Sequence, residues 1–133
     1  MEPKLIICDT DVLIDLFDAS KPRHVNTKQI IEKQIALDNV VISAITKMEL
    51  LLGAANKQEL KNIDRLTTRL NLILINDEIT KQAFNLLKLY HLSHRLAIPD
   101  SIIASTSMVS NMMLFTYNIK DFRFIKGIRL FEF

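Results

Sequence analysis

Four short apolar runs constrain this chain more than any other feature. Lys4 to Cys8, Val40 to Ile42, Leu72 to Ile75 and Met112 to Thr116 are too short for buried helices and continuous enough for buried strands. Longer segments with helical apolar spacing separate them. Val12, Leu13, Leu16 and Phe17 share one helical face, and further helices are predicted from Asn26 to about Leu37, through Glu49 to Ala55, from Lys57 to Arg69, from Asp77 to about Tyr90 and from Ser101 to Ser110. Strands alternating with helices need crossover connections, so the chain is predicted to be α/β with a mostly parallel sheet covered on both faces. A last short strand is expected over Ile128 to Phe131.

With 133 residues the chain is expected to form a single domain spanning 1–133, able to bury about two-thirds of its unfolded surface. Two glycines, three prolines and a 49% hydrophobic share leave little room for linkers or disorder. The lone cysteine, Cys8, sits inside an apolar run, where a small buried thiol in a reducing compartment is the expectation. No secretory pattern and no apolar run near 20 residues is present, so a cytoplasmic protein without membrane partners is expected.

Acidic residues stand where the runs end. Asp9 follows the first, Glu49 lies beyond the second, Asp100 opens a helix, and Asp121 lies beyond Leu114-Phe115. In a parallel sheet such ends share one edge, which gathers distant carboxylates. Each acid also has an ordinary explanation. Asp9 or Asp11 fits a helix cap, Thr46-Lys-Met-Glu49 fits a capping box, Asp100 is placed to cap the helix from Ser101, and Asp121 fits a turn. Their common edge is what those explanations leave out. Clustered carboxylates repel unless a cation or hydrogen bonds compensate, and Mg²⁺ or Mn²⁺ suits an all-oxygen donor set. His91 and His94, at i and i+3, read as surface residues rather than zinc ligands.

The net charge of +2 does not by itself announce a polyanion. Lys57, Lys61, Arg65 and Arg69, however, recur every fourth residue and make one basic stripe opposite Leu60, Ile63, Leu66 and Leu70. Glu59 and Asp64 beside it support an ordinary solvated face; the other reading is a contact to a phosphate backbone.

Four blocks then carry a resemblance: Asp9-Thr-Asp-Val-Leu-Ile-Asp15, Thr46-Lys-Met-Glu-Leu-Leu-Leu-Gly53, Pro99-Asp-Ser-Ile-Ile-Ala104 and Thr116-Tyr-Asn-Ile-Lys-Asp-Phe122. In this order they resemble PIN-domain ribonucleases, most closely the VapC-like toxins of bacterial toxin–antitoxin pairs. The resemblance implies an α/β/α sandwich, with Asp9, Glu49, Asp100 and Asp121 as metal-binding catalytic acids. It further implies Thr116 and Asn118 as supporting residues, Mg²⁺ or Mn²⁺ as cofactor, an RNA substrate, a homodimer and a cognate antitoxin. Ser105 and Asp11 depart mildly from the family pattern, and Asp11 is left open as a supporting member of the acidic set. Two rivals remain at this point. Asp9-Thr-Asp-Val12 also resembles the start of haloacid-dehalogenase-type phosphatases, with Asp9 as nucleophile, although no second acidic block of that kind follows. The other rival is a non-catalytic interaction module whose acids are caps.

Overall fold

The structure, a computed structural model, describes residues 4–133. Its centre is a four-stranded, all-parallel sheet of β1 (Ile6–Cys8), β2 (Val40–Ser43), β3 (Asn71–Ile73) and β4 (Met113–Phe115), in the order β3-β2-β1-β4. Successive side chains on a strand point to opposite faces, and both faces here are apolar. Ile6, Cys8, Val40, Ile42 and Phe115 enter one core; Ile7, Val41 and Leu114 enter the other.

Helices α1 (Thr10–Phe17) and α2 (His24–Ile30) cover the first face, with α4 (Lys57–Thr68) contributing Ile63. Beyond α2 the chain makes a wider π turn over Ile31–Ile35, burying Ile31 and Ile35. The second face is covered by α5 (Asp77–His94) and α6 (Ile98–Val109) through Leu86, Ile103 and Ala104. The result is a three-layer α/β/α sandwich. Ala104, Ser105 and Ser107 are all buried on α6, and side chains this small bring its backbone close to the sheet.

Helix α3 (Ala44–Leu52) leaves β2 directly and packs against α1, α4 and α6, so it crosses the edge where the strands end. Ser43 caps it, its Oγ accepting from the Ile45 N–H at 3.2 Å. Gly53 ends it early with an ordinary helical φ of −79°.

Several expectations need correction. The run Leu72 to Ile75 is not a buried strand: β3 is a sheet edge, and Leu72 is 42% exposed. Apolar composition cannot separate an edge from an interior, because only the order of strands decides it. Over Ile128 to Phe131 there is no full strand but a single parallel bridge between Leu130 and Leu114, flanked by two backbone hydrogen bonds. Helix α5 continues four residues past Tyr90, since nothing stops it until Arg95 adopts a left-handed φ of 56°. Among the described residues no helix is long and apolar enough to cross a membrane.

Candidate active site

The C-terminal ends of β1, β2 and β4 all lead to one edge. Asp9 is the first residue beyond β1. Its backbone N–H still donates to the Phe115 carbonyl at 2.9 Å, so it remains anchored to β4, while its side chain caps α1. Both carboxylate oxygens are engaged: Oδ1 accepts from the Thr10 N–H at 2.7 Å and Oδ2 from the Thr116 hydroxyl at 2.8 Å. Asp9 is 4% exposed. Burial pushes its pKa above the ordinary aspartate value, and the charge of Glu49 adds to that, against the pull of the Thr116 and Thr10 hydrogen bonds.

Asp11 is not the helix cap, since Asp9 takes that place. Its Oδ2 accepts from the Tyr117 N–H at 3.1 Å, tying the first turn of α1 to the segment after β4. Its Oδ1 is buried with no hydrogen-bond partner. Burial and then the neighbouring Asp9 raise its pKa to about 6.

Glu49 lies within α3, and no capping box forms, because the cap is Ser43, three residues before Thr46. Instead the Thr10 hydroxyl donates to Glu49 Oε1 at 2.7 Å. The buried Thr46 Oγ1 lies 3.1 Å from Thr10 Oγ1. A hydroxyl has one proton to give, so Thr10 gives its proton to the carboxylate and accepts from Thr46. These two threonines were not singled out in the sequence as positioning residues. The available signal was their place directly after Asp9 and three residues before Glu49.

Asp100 does not cap α6. With Pro99 in the first turn, a position proline favours, the helix begins at Ile98 and Ala97 occupies the cap without a side-chain bond. The Asp100 carboxyl is thereby released from capping. Its pKa is raised to about 7, by burial first and then by the charges of Asp9, Asp121, Glu49 and Asp11. Asp121 belongs to a short 3₁₀ turn, Ile119–Asp121, held by its N–H to the Asn118 carbonyl at 3.0 Å. Asn118 contributes its backbone N–H to Thr116 Oγ1 at 3.0 Å, while the residue itself is exposed.

The edge therefore gathers Asp9, Asp11, Glu49, Asp100 and Asp121 into one electrostatic neighbourhood. Among the described residues no three of them converge closely enough to make a ready metal cage. The donor set nevertheless fits a hard divalent cation: it is all carboxylate oxygen, it includes an unpartnered buried oxygen on Asp11, and three of its members have raised pKa values. An open arrangement suits Mg²⁺, which keeps several waters in its coordination shell.

Two shallow grooves approach this edge. One, of about 460 Å³, is lined by Asp11, Ile14, Asp15, Lys21, Pro22 and Arg23. The other, of about 560 Å³, runs from Glu49 and Gly53 to Asn62, Arg65 and Leu66 of α4. Of the basic stripe, Arg65 lines this second groove; Lys57, Lys61 and Arg69 are exposed outside both linings. His91 and His94 are exposed at the end of α5, with the His94 ring stacked on Phe124 at 4.1 Å.

The PIN domain model matches residues 6–127. A chain of a toxin-antitoxin complex from Klebsiella pneumoniae is 32% identical, with 96% of this chain and 99% of that chain covered at a TM-score of 0.75. VapBC-1 from nontypeable Haemophilus influenzae is similar at 26% identity, covering 96% and 97% with a TM-score of 0.74. VapC20 from Mycobacterium tuberculosis, a sarcin-ricin loop cleaving toxin, shares the fold at 19% identity, covering 84% and 87% with a TM-score of 0.67. No curated protein matches. The family match spans nearly the whole chain, and the sheet order, the layers and the acidic edge all lie within it: the chain belongs to the PIN-domain family.

Proposed function

We propose that this chain is a divalent-metal-dependent endoribonuclease and the toxin of a toxin–antitoxin pair. The observation that carries the reading is the placement of Asp100 in the field of four other carboxylates at the strand-end edge of a PIN fold. A relative at 32% identity comes from a toxin-antitoxin complex, which supports the biological half of the reading.

Asp9, Asp100 and Asp121 would hold the metal, with Glu49 ligating directly or through water. Bound there, Mg²⁺ or Mn²⁺ supplies Lewis acidity toward a phosphodiester and lowers the pKa of a coordinated water. The remaining work belongs to the chain. Thr116 and the Thr10 N–H hold Asp9 in place; Thr10, backed by Thr46, holds the Glu49 carboxylate; Tyr117 fixes Asp11 through its backbone. In this role Glu49 orients the attacking water. Asp11 and Thr116 are supporting residues, and Asn118 acts through its backbone. Arg65 is the member of the basic stripe best placed for RNA, because it alone lines a groove that reaches Glu49.

The phosphatase alternative needs a second acidic block that the sequence lacks, and it leaves Glu49 and the Thr116-to-Phe122 block without a role, whereas the PIN domain model takes in residues 6–127. The same reading makes 1–133 one nuclease domain acting in the cytoplasm as a homodimer, silenced by a protein antitoxin. The test is cleavage of a total RNA pool by purified protein with Mg²⁺ or Mn²⁺ against EDTA, beside Asp9→Asn. Discrete metal-dependent fragments, absent from the variant, are expected. Fragments that persist in EDTA or in the variant would sink the assignment.

A further inference from the structure

An acidic edge that must receive RNA faces an electrostatic problem, since five carboxylates repel a polyanion wherever the metal does not neutralise them. The first groove contains a fixed counterweight. Asp15, on α1, is buried, and its Oδ2 accepts from Arg23 Nε at 2.7 Å. The guanidinium lies over the Tyr117 ring, 4.0 Å from its centroid. Tyr117 is in turn held by Thr27, the two hydroxyls lying 2.6 Å apart, while its backbone N–H holds Asp11. His24 closes the arrangement, its Nδ1 lying 2.9 Å from the Asp15 carbonyl.

The arginine is therefore fixed on one edge and one face, yet its side chain is half exposed. Only Nε is engaged with Asp15, so the terminal nitrogens stay available in a fork whose orientation is already set. Lys21 lines the same groove, and the groove opens onto Asp11.

An ordinary explanation exists: an ion pair that locks α2 to α1. It accounts for Asp15. It does not account for a half-exposed guanidinium held over an aromatic ring beside the acidic edge.

We propose that the Arg23 groove is a backbone-phosphate subsite, in which Arg23, assisted by Lys21, binds a phosphate of the RNA strand next to the one placed at the carboxylates. Arg23 is a positioning residue here; it registers the strand and does not touch the reacting atoms. The proposal rests on the RNA-cleaving reading above and adds where the strand lies.

The test measures binding apart from cleavage. A fluorescein-labelled single-stranded RNA 20-mer is titrated by anisotropy in EDTA over a series of salt concentrations, with wild type, Arg23→Ala, Arg23→Lys and Lys88→Ala. Lys88 is exposed on α5, on the opposite face of the sheet, and controls for the loss of one charge. Arg23→Ala is expected to weaken binding several-fold at physiological salt and to lower the logarithmic salt slope by about 0.7, the change for one lost phosphate contact on a single strand. Arg23→Lys is expected to recover the slope but only part of the affinity, because a point charge replaces a fork. With the RNA pool as substrate, the half-saturating RNA concentration rises while the turnover rate holds.

Arg23→Ala and Lys88→Ala that bind alike would overturn the subsite. So would a loss of melting temperature in Arg23→Ala and Arg23→Lys with unchanged binding by both, which is the signature of the ion pair alone. Failure of the nuclease reading looks different: wild type binds RNA through Arg23 and cuts nothing with any metal. Wild type that neither binds nor cuts RNA overturns both.

Discussion

Thr10 donates its hydroxyl to Glu49 Oε1 at 2.7 Å across 39 residues of sequence, joining the first turn of one helix to the middle of another. The bond sets where the one glutamate among the strand-end acids points. A hydrogen bond to a charged group contributes roughly 1.5–3 kcal/mol, so its loss is large enough to register in a rate.

Thr10→Val is therefore expected to lower metal-dependent RNA cleavage by about tenfold or more, given that 1.36 kcal/mol on a barrier is tenfold in rate. Thr46→Val, one step further from the carboxylate, should lower it less. Thr10→Ser should retain most of the activity. Rates for the three variants side by side check the order; a Thr46→Val effect larger than that of Thr10→Val would break it.

Asp9 does two jobs, and substitution separates them. Asparagine caps a helix about as well as aspartate, whereas alanine costs about 1 kcal/mol at a cap. Asp9→Asn should abolish cleavage while keeping the melting temperature near wild type, and Asp9→Ala should lose both. Asp100→Asn should likewise remove activity without loss of stability, because that side chain caps nothing. Thermal melts beside cleavage assays decide this, and an Asp100→Asn protein that melts well below wild type contradicts the picture.

Metal-free protein should lose stability as pH rises from about 4 to about 7. The folded state holds the protons of Asp11, with pKa about 6, and Asp100, with pKa about 7, more tightly than an unfolded chain whose aspartates titrate near 3.8. Stability falls with pH wherever the native state binds more protons, so repulsion among the acids grows through this window as they ionise. Divalent ions compete with those protons. Added Mg²⁺ should thus raise the melting temperature more at about pH 7.5 than at about pH 5.5. Melting curves in EDTA and in Mg²⁺ across pH test the sign, and a metal effect larger at the acidic end would reverse it.

Cys8 is fully buried between the layers, and burial pushes its thiol pKa far up, with Asp11 and Asp9 adding. The reactive thiolate is thereby suppressed. Native protein should react with an aromatic disulfide reagent only at the rate at which it unfolds, which kinetics over a denaturant series will reveal.

Much of the fold could be read because both faces of the sheet are apolar. The runs at Ile6–Cys8 and Val40–Ser43 had no alternative as solvent-exposed strands, and the small residues of α6 announced a close approach. What could not be read was relational. The apolar run after Leu70 looks the same whether β3 is inner or outer, and strand order made it outer. Asp100 looked like a cap until Pro99 drew the helix start back to Ile98. Local pattern names the acids; the hydroxyls that aim them, such as Thr10 toward Glu49, depend on packing between elements distant in sequence.

The strand order also decides which part of the molecule can breathe without harm. β3, with Leu72 facing solvent, is the strand from which no member of the acidic group departs: Asp9 follows β1, Glu49 follows β2 and Asp121 follows β4. Fraying at that outer strand leaves the Asp9 amide on the Phe115 carbonyl and the Thr116 hydroxyl on Asp9 in place. Amide hydrogens of β3 should exchange long before those of β1, so the sheet has a sacrificial margin on the side away from its chemistry.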